Sequence, residues 1–336
     1  IRYNAAANEG EGGFSRKGRI SLYHEKQRCL PPKLFHKAFM TVILKQQVTT
    51  ALGLDPGDVH LALRPPLTYQ SNHLYDLTAG QAHWIVKEYC KADEFESAPR
   101  REFTALQTLD RLDIAPRPVF LQVAPRPPLG PFVVYEYMPG RMWDRYRPSS
   151  EELSQLAEIW LSFAEVPVDD LSIARAYEGS PAKAAAGWRC DFETYAAWAE
   201  THFPTALPAA RLCRQALAKH EDTIQELSVA RPHLAFGRSD SRFANIIARP
   251  GGRIGIIDWE DSGLTDPALD IADLIVHANQ EDLLSAGEWG AFLEPYLASR
   301  RPADPGLERR LELHQARLSL MWLDILICLG LAMAQS

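Results

Sequence analysis

The stretch GRSDSRFANIIARPGGRIGIIDWED, Gly237 to Asp261, governs how the rest of the chain is read. Two short apolar runs, Asn245–Ala248 and Arg253–Ile257, flank the turn signal Arg249-Pro250-Gly251-Gly252, which is the pattern of a β-hairpin. Folding the ribbon about Gly251 pairs residues whose numbers sum to roughly 502. Asn245 then lies opposite Ile257 and Asp258, at the open end. Neighbouring strands run about 4.8 Å apart, so the Asn245 amide oxygen and the Asp258 carboxylate come within reach of one ion. Hard oxygen ligands of this kind suit Mg²⁺, which completes its shell from water and substrate phosphates. Asp240 sits on the loop entering the first strand, close to such an ion without having to bind it. That is where a residue aligning a nucleophile would stand. Taken singly, these three residues would be a turn former, a cap and a surface charge; together in one hairpin they make a site.

Asp-x-x-x-x-Asn followed by Ile-Asp-Trp-Glu resembles the catalytic segment of the aminoglycoside phosphotransferase family, which includes choline-kinase-like small-molecule kinases and shares the protein-kinase fold. The resemblance places Asp240 at the catalytic-loop Asp, and Asn245 and Asp258 at the two Mg²⁺ ligands. In the run DPALD it places Asp266 and Asp270 at an Asp-Pro-x-x-Asp pattern whose second Asp braces the catalytic loop. One departure stands out: the family's His-Gly-Asp is Arg238-Ser239-Asp240 here.

The upstream half then has to supply a nucleotide site. HLYDL (His73–Leu77) and HWIVKEY (His83–Tyr89) read as strands joined at Ala79-Gly80. Lys87 ends the second apolar run, as a kinase strand lysine does. A helix follows, with Phe103, Leu106, Leu109 and Leu112 at spacings of three. The resemblance makes Glu102, in its first turn, the ion-pair partner that aims Lys87 at the α and β phosphates. In PFVVYEYMPG (Pro131–Gly140) a strand runs into a turn. There the resemblance assigns the Glu136 carbonyl and the Met138 amide to the adenine edge. No G-x-G-x-x-G is present; Tyr69–His73 stands in its place, and the resemblance, to a family that often uses a Ser-Asn loop there, assigns Ser71 and Asn72 to the phosphate-covering loop.

The remaining sequence bounds the reading. Five scattered cysteines without C-x-x-C spacing argue against a disulfide framework or zinc site and for a reducing cytoplasm. Residues 1–39 are Gly-rich and basic, without an apolar h-region, and are expected to be a disordered or non-native leader. Residues 40–137 are expected to form a nucleotide-binding lobe, and 138–336 a lobe with the catalytic loop and substrate cleft. Leu318–Ala334 is apolar but interrupted by Asp324, and reads as a buried helix rather than a membrane span. Ser149 and Glu152 form a capping box before a helix. Trp188–Phe203 reads as an amphipathic helix, which the resemblance places beside the substrate cleft, its aromatic residues more core than ligand contacts.

The resemblance implies an α+β, bilobal protein-kinase-like fold, with a five-stranded antiparallel N-lobe and a mostly helical C-lobe. The implied reaction moves the γ-phosphoryl group of ATP, or GTP, with Mg²⁺, to a hydroxyl of a small molecule. No nucleic acid or membrane partner is implied. A nucleotide-binding pseudokinase scaffold is the rival reading, motivated by the missing His and the atypical phosphate loop. A protein kinase is disfavoured: seven residues separate Asp258 from Asp266 and no A-P-E follows. The chain carries a net charge of −7; the leader holds eight basic residues against three acidic, leaving −12 for the remainder. Such acidity suits a cationic acceptor, with Glu260 and Asp261 facing it and Trp259 adding cation–π contact, and it equally serves solubility.

Overall fold

The computed structural model describes residues 34–65, 71–91, 96–125, 127–144, 146–168, 171–174, 197, 200–201, 207–229, 232–280 and 282–334. The chain forms two compact units. One comprises residues up to Phe103 with Pro116–Tyr137; the other comprises Thr104–Ala115 and Met138 onward. Most of the Trp188–Phe203 segment, and the loop residues Tyr69 and Gln70, lie outside the described residues.

The first unit is built on five antiparallel strands in the order β1-β2-β3-β5-β4: β1 Val59–Leu63, β2 His73–Ala79, β3 Ala82–Glu88, β4 Pro118–Gln122 and β5 Phe132–Glu136. The β2–β3 hairpin turns at Gly80-Gln81, with Ala79 opposite Ala82. Gly80 has φ +57°, and a positive φ at the first central position is what such two-residue turns demand of glycine. Alternation fixes the buried face, because Tyr75, Leu77 and Val86 point to the same core as Phe132 and Val134.

Helix α1 (Leu34–Leu52) covers that face, and the sequence did not foretell it. Leu44 and Val48, one helical turn apart, are fully buried in the core cluster. The helix starts six residues before Met40, inside the segment expected to be a leader. Its apolar residues are spread around much of its circumference, so no single stripe announces it.

Helix α2 runs over Ala98–Leu109, so Glu102 lies in its second turn and not its first. In the second unit, α3 (Ser150–Ser162) opens with the expected capping box: Ser149 Oγ accepts from Glu152 N, and Glu152 Oε2 accepts from Ser149 N. The remaining elements are β6 (Arg141–Met142), α4 (Leu207–Lys219), α5 (Glu221–Val229), β7 (Ala235–Gly237), β8 (Ile246–Ala248), β9 (Ile254–Ile256) and β10 (Gly263–Thr265). Three helices follow: α6 (Pro267–Val276), α7 (Ala286–Arg300) and α8 (Leu307–Ala334). Strands β6, β8 and β9 form one small sheet, and β7 pairs with β10. Helix α8 packs along α6, with Leu311, Leu313, Leu318, Leu320 and Met321 buried. Among the described residues, no helix is long and apolar enough to cross a membrane.

Candidate active site

The hairpin has the register its numbers require. Ile246 pairs with Ile256, Ile247 with Gly255 and Ala248 with Ile254, each pair summing to 502. Gly251 and Gly252, at φ +79° and +75°, make the turn. Asn245 closes a short 3₁₀ turn (Phe243–Asn245) just before β8, where the sequence placed it in the strand; its carbonyl accepts from Ile257 N at 2.9 Å. Asp258 follows β9 with φ +67°, a left-handed conformation that costs a non-glycine residue and recurs at functional sites. The Asn245 amide and Asp258 Oδ2 are 3.5 Å apart. Rotating that amide places its oxygen to accept from Arg242 Nε and Arg238 Nη2, both at 3.3 Å, and beside the Asp258 carboxylate.

The loop carrying Asp240 is held from below by α6. Asp266 caps that helix, accepting from Ala268 N at 3.0 Å, with Pro267 in its first turn. Asp270 Oδ1 then accepts from Arg238 N and Ser239 N, each at 3.1 Å, and from Ser241 Oγ at 2.9 Å. Gly237 permits this approach, because a Cβ there would meet the Thr265 side chain and the Asp270 carboxylate. Asp273 Oδ2 accepts from Ser241 N at 2.8 Å. Past the helix end, Gln280 clamps the same loop: its Oε1 accepts from Phe243 N at 2.7 Å and its Nε2 donates to Ser241 O at 3.0 Å. The Asp266/Asp270 pattern thus braces the loop, with two side chains the sequence reading passed over.

Arg238 fills the place of the family's His. Its guanidinium is buried and donates to the carbonyls of Ile257 (2.9 Å) and Asp258 (3.1 Å), stitching the Asp240 loop to the segment after β9. Burial holds its pKa below the ordinary guanidinium value, against the pull of Asp240, Asp270 and Asp258. It lies over the Trp259 ring at 5.0 Å. That overturns the expected role of Trp259 as a substrate contact. The indole is fully buried, stacks on Phe236 and donates to Ile256 O, so its cation–π partner is internal.

Arg242 is the residue the sequence reading left out. Its Nε stands 3.4 Å from Asp240 Oδ2 and its Nη2 stands 3.4 Å from Asp258 Oδ2, bridging the two carboxylates. The Asp240 carboxyl is held well below the usual carboxylate range. Burial opposes its charge, but the His277 contact and the positive charges of Arg242 and Arg238 outweigh that cost.

In the first unit, Lys87 Nζ meets Glu102 Oε2 at 2.7 Å with both side chains buried, and Tyr89 Oη donates to the same carboxylate. Ser71 and Asn72 precede β2; the Asn72 amide oxygen accepts from Cys90 N at 3.4 Å, tying the strand ends together. Glu136 ends β5, where its amide donates to Arg117 O, and Met138 begins the second unit. The structure therefore brings together Asp240, Asn245 and Asp258 in one unit and Lys87 with Glu102 in the other.

Gln280 and Asp273 carried a faint signal. Asp270, Asp273, His277 and Gln280 follow one another at spacings of three, four and three, as polar positions in a mainly apolar run, the spacing of one helix face, although the helix itself ends at Val276. Arg242 lies two residues beyond Asp240, a separation that says nothing by itself about which side chains it meets.

Fold and site together define a protein-kinase-like phosphotransferase. The chain belongs to the phosphotransferase enzyme family, whose sequence profile (APH) matches residues 63–313; it is a small-molecule kinase. Similar solved structures include choline kinase LicA from Streptococcus pneumoniae, at 20% identity and TM-score 0.55, covering 85% of this chain and 90% of that one. An ethanolamine kinase from Plasmodium vivax is similar at 15% identity and TM-score 0.54, covering 94% and 88%. An aminoglycoside-3'-phosphotransferase of type VIII is similar at 18% identity and TM-score 0.51, covering 78% and 94%. At these identities the likeness is one of fold. No curated protein sequence matches the chain.

Proposed function

We propose that the protein transfers the γ-phosphoryl group of ATP, or GTP, to a hydroxyl of a small cationic molecule such as an amino alcohol or amino sugar. The observation that carries this reading is the convergence of Asp240, Asn245 and Asp258 at the open end of one hairpin, with Arg242 between the two carboxylates. Asp240 would accept a hydrogen bond from the acceptor hydroxyl and turn its lone pair toward phosphorus. Asn245 and Asp258 would hold Mg²⁺: rotating the Asn245 amide brings its oxygen to the side where its nitrogen stands 3.5 Å from Asp258 Oδ2, and an amide oxygen beside a carboxylate oxygen suits ligands of an octahedral ion, which lie roughly 3 Å from one another. When bound, that ion would neutralise phosphate charge. Lys87, fixed by Glu102, would hold the α and β phosphates, and Ser71 and Asn72 would cover them. The backbone of Glu136 and Met138 would take the adenine edge. Positioning and electrostatics do most of the work in such a transfer.

A nucleotide donor is supported by the fold, which is shared with structures solved in complex with AMP and with ADP and spectinomycin. A cationic acceptor is supported by the net charge of −7 and by Glu260 and Asp261 next to Asp258. A panel of choline, ethanolamine, amino sugars and neutral sugars, read by ATP consumption with Mg²⁺, tests the reading. Preference for the cationic acceptors, with a KM that rises with ionic strength, is the expected result. Equal use of neutral sugars would defeat the charge assignment. ATP binding without turnover on any acceptor would favour the scaffold reading.

A further inference from the structure

One buried side chain touches Asp240 and has no place in the scheme above. His277, just past the C-terminal end of α6, is almost wholly buried, and its Nε2 stands 3.7 Å from Asp240 Oδ1. Its other ring nitrogen is already engaged, since Nδ1 accepts from Asn279 N at 3.2 Å. An imidazole that accepts through Nδ1 carries its proton on Nε2, which is the nitrogen turned to the carboxylate. Trp322 of α8 packs against the ring, with centroids 4.4 Å apart. A separation of 3.7 Å is long for a hydrogen bond, and such contacts tighten when substrate closes a site.

We propose that His277 is a positioning residue for Asp240: its Nε2–H fixes the carboxylate through Oδ1, so that Oδ2 is presented to the acceptor hydroxyl. Two observations support this division of labour. The partners of Asp240 are split by oxygen, His277 on Oδ1 and Arg242 on Oδ2. Arg242 is shared between Asp240 Oδ2 and Asp258 Oδ2, whereas the His277 contact falls on Oδ1. His277 also stands in the same stretch as Asp270 and Asp273 of α6 and Gln280 beyond its end, which hold the loop backbone. The segment from Asp270 to Gln280 thus holds both the loop backbone and the carboxylate of Asp240.

The proposal rests on Asp240 being the residue that aligns the hydroxyl, and its test separates the two claims. Turnover of MgATP is measured at steady state, with the best acceptor of the panel and with water, for wild type, His277→Phe, His277→Gln, Asp240→Asn and Asp240→Asn/His277→Phe. His277→Phe should lose about 10- to 100-fold in kcat, the usual cost of releasing an orienting partner, with KM for MgATP unchanged. Gln, whose amide nitrogen can take the place of Nε2, should recover most of that loss. In the Asp240→Asn background the His277 change should add nothing. Melting temperature and MgATP affinity monitor folding of each variant. An undiminished kcat in His277→Phe overturns the proposal, as does a Gln variant no better than Phe, or a loss that repeats in full on top of Asp240→Asn. Wild-type turnover in Asp240→Asn, or none in wild type, removes the underlying reading and this proposal with it.

Discussion

Arg310 of α8 donates to Asp266, the residue capping α6, through Nε at 2.9 Å and Nη2 at 3.2 Å, with both side chains buried. Its other contacts reach Asp304, at 3.0 and 2.6 Å. The last helix is therefore pinned to the helix that braces the catalytic loop. Removing one partner of a buried pair strands the other charges, so Arg310→Met should cost about 3–5 kcal/mol at neutral pH. The sign with pH follows from Asp266. Burial opposes its charge, but His314 and Arg310 hold its folded pKa below the ordinary value. The stability it contributes is present above the unfolded carboxylate pKa, about 3.9, and lost as pH falls through the lower folded value. The deficit of Arg310→Met, measured by urea unfolding, should therefore shrink as pH drops below that unfolded value. A deficit constant with pH would show that the ion pair is not its source.

Ser239 sits at φ +61° between Arg238 and Asp240, and its hydroxyl finds no partner among the described residues. The family's glycine at this position has a physical reason, because a side chain in the left-handed region costs roughly 1 kcal/mol. Ser239→Gly should raise stability by about 0.5–1 kcal/mol while keeping the amide bond to Asp270, the gain being trimmed by glycine's extra freedom in the unfolded chain. A fall in melting temperature would contradict this.

Lys87 and Glu102 form a buried pair. Lys87→Met should destabilise by about 3–5 kcal/mol, because Glu102 is left charged and buried without its cation. Lys87→Met/Glu102→Gln should recover part of the stability and none of the nucleotide affinity. Calorimetry and thermal unfolding of the three proteins separate folding from binding. Recovery of binding in the double variant would sink the phosphate role of Lys87.

Asp240→Asn and Asp258→Asn should fail differently. The first should lower turnover by about 10²–10⁴ with nucleotide affinity nearly intact. The second should weaken Mg²⁺-nucleotide binding itself. Equal loss of affinity in both would reject the division of roles.

Leu44 is fully buried between α1 and the sheet. Leu44→Ala should cost about 2–5 kcal/mol in denaturant unfolding. A cost near zero would mean that α1 is not part of the folded core.

What could be read from residue order is what depends on short separations. The hairpin register followed from a turn and two apolar runs, because a tight turn fixes which numbers meet, and every observed pair agreed. The capping box at Ser149 and the β2–β3 ribbon were legible for the same reason: three residues, or two, close the contact. Helix α1 was missed because its burial is decided by the sheet it covers, not by a stripe of its own. The burial of Trp259 was missed because an aromatic residue beside a metal-type Asp looks the same whether it faces substrate or core.

By itself the sequence determined the spacing of Asp240, Asn245 and Asp258, and through the hairpin the approach of the last two. Only the tertiary structure decided what surrounds Asp240. Arg242 bridges it to Asp258, His277 comes from 37 residues downstream, and Gln280 ties Ser241 to Phe243 from across the loop. Charges and hydrogen bonds act through space over a few ångströms. The partners that set a carboxylate's ionisation and aim are therefore those the fold brings near, and chain order alone does not name them.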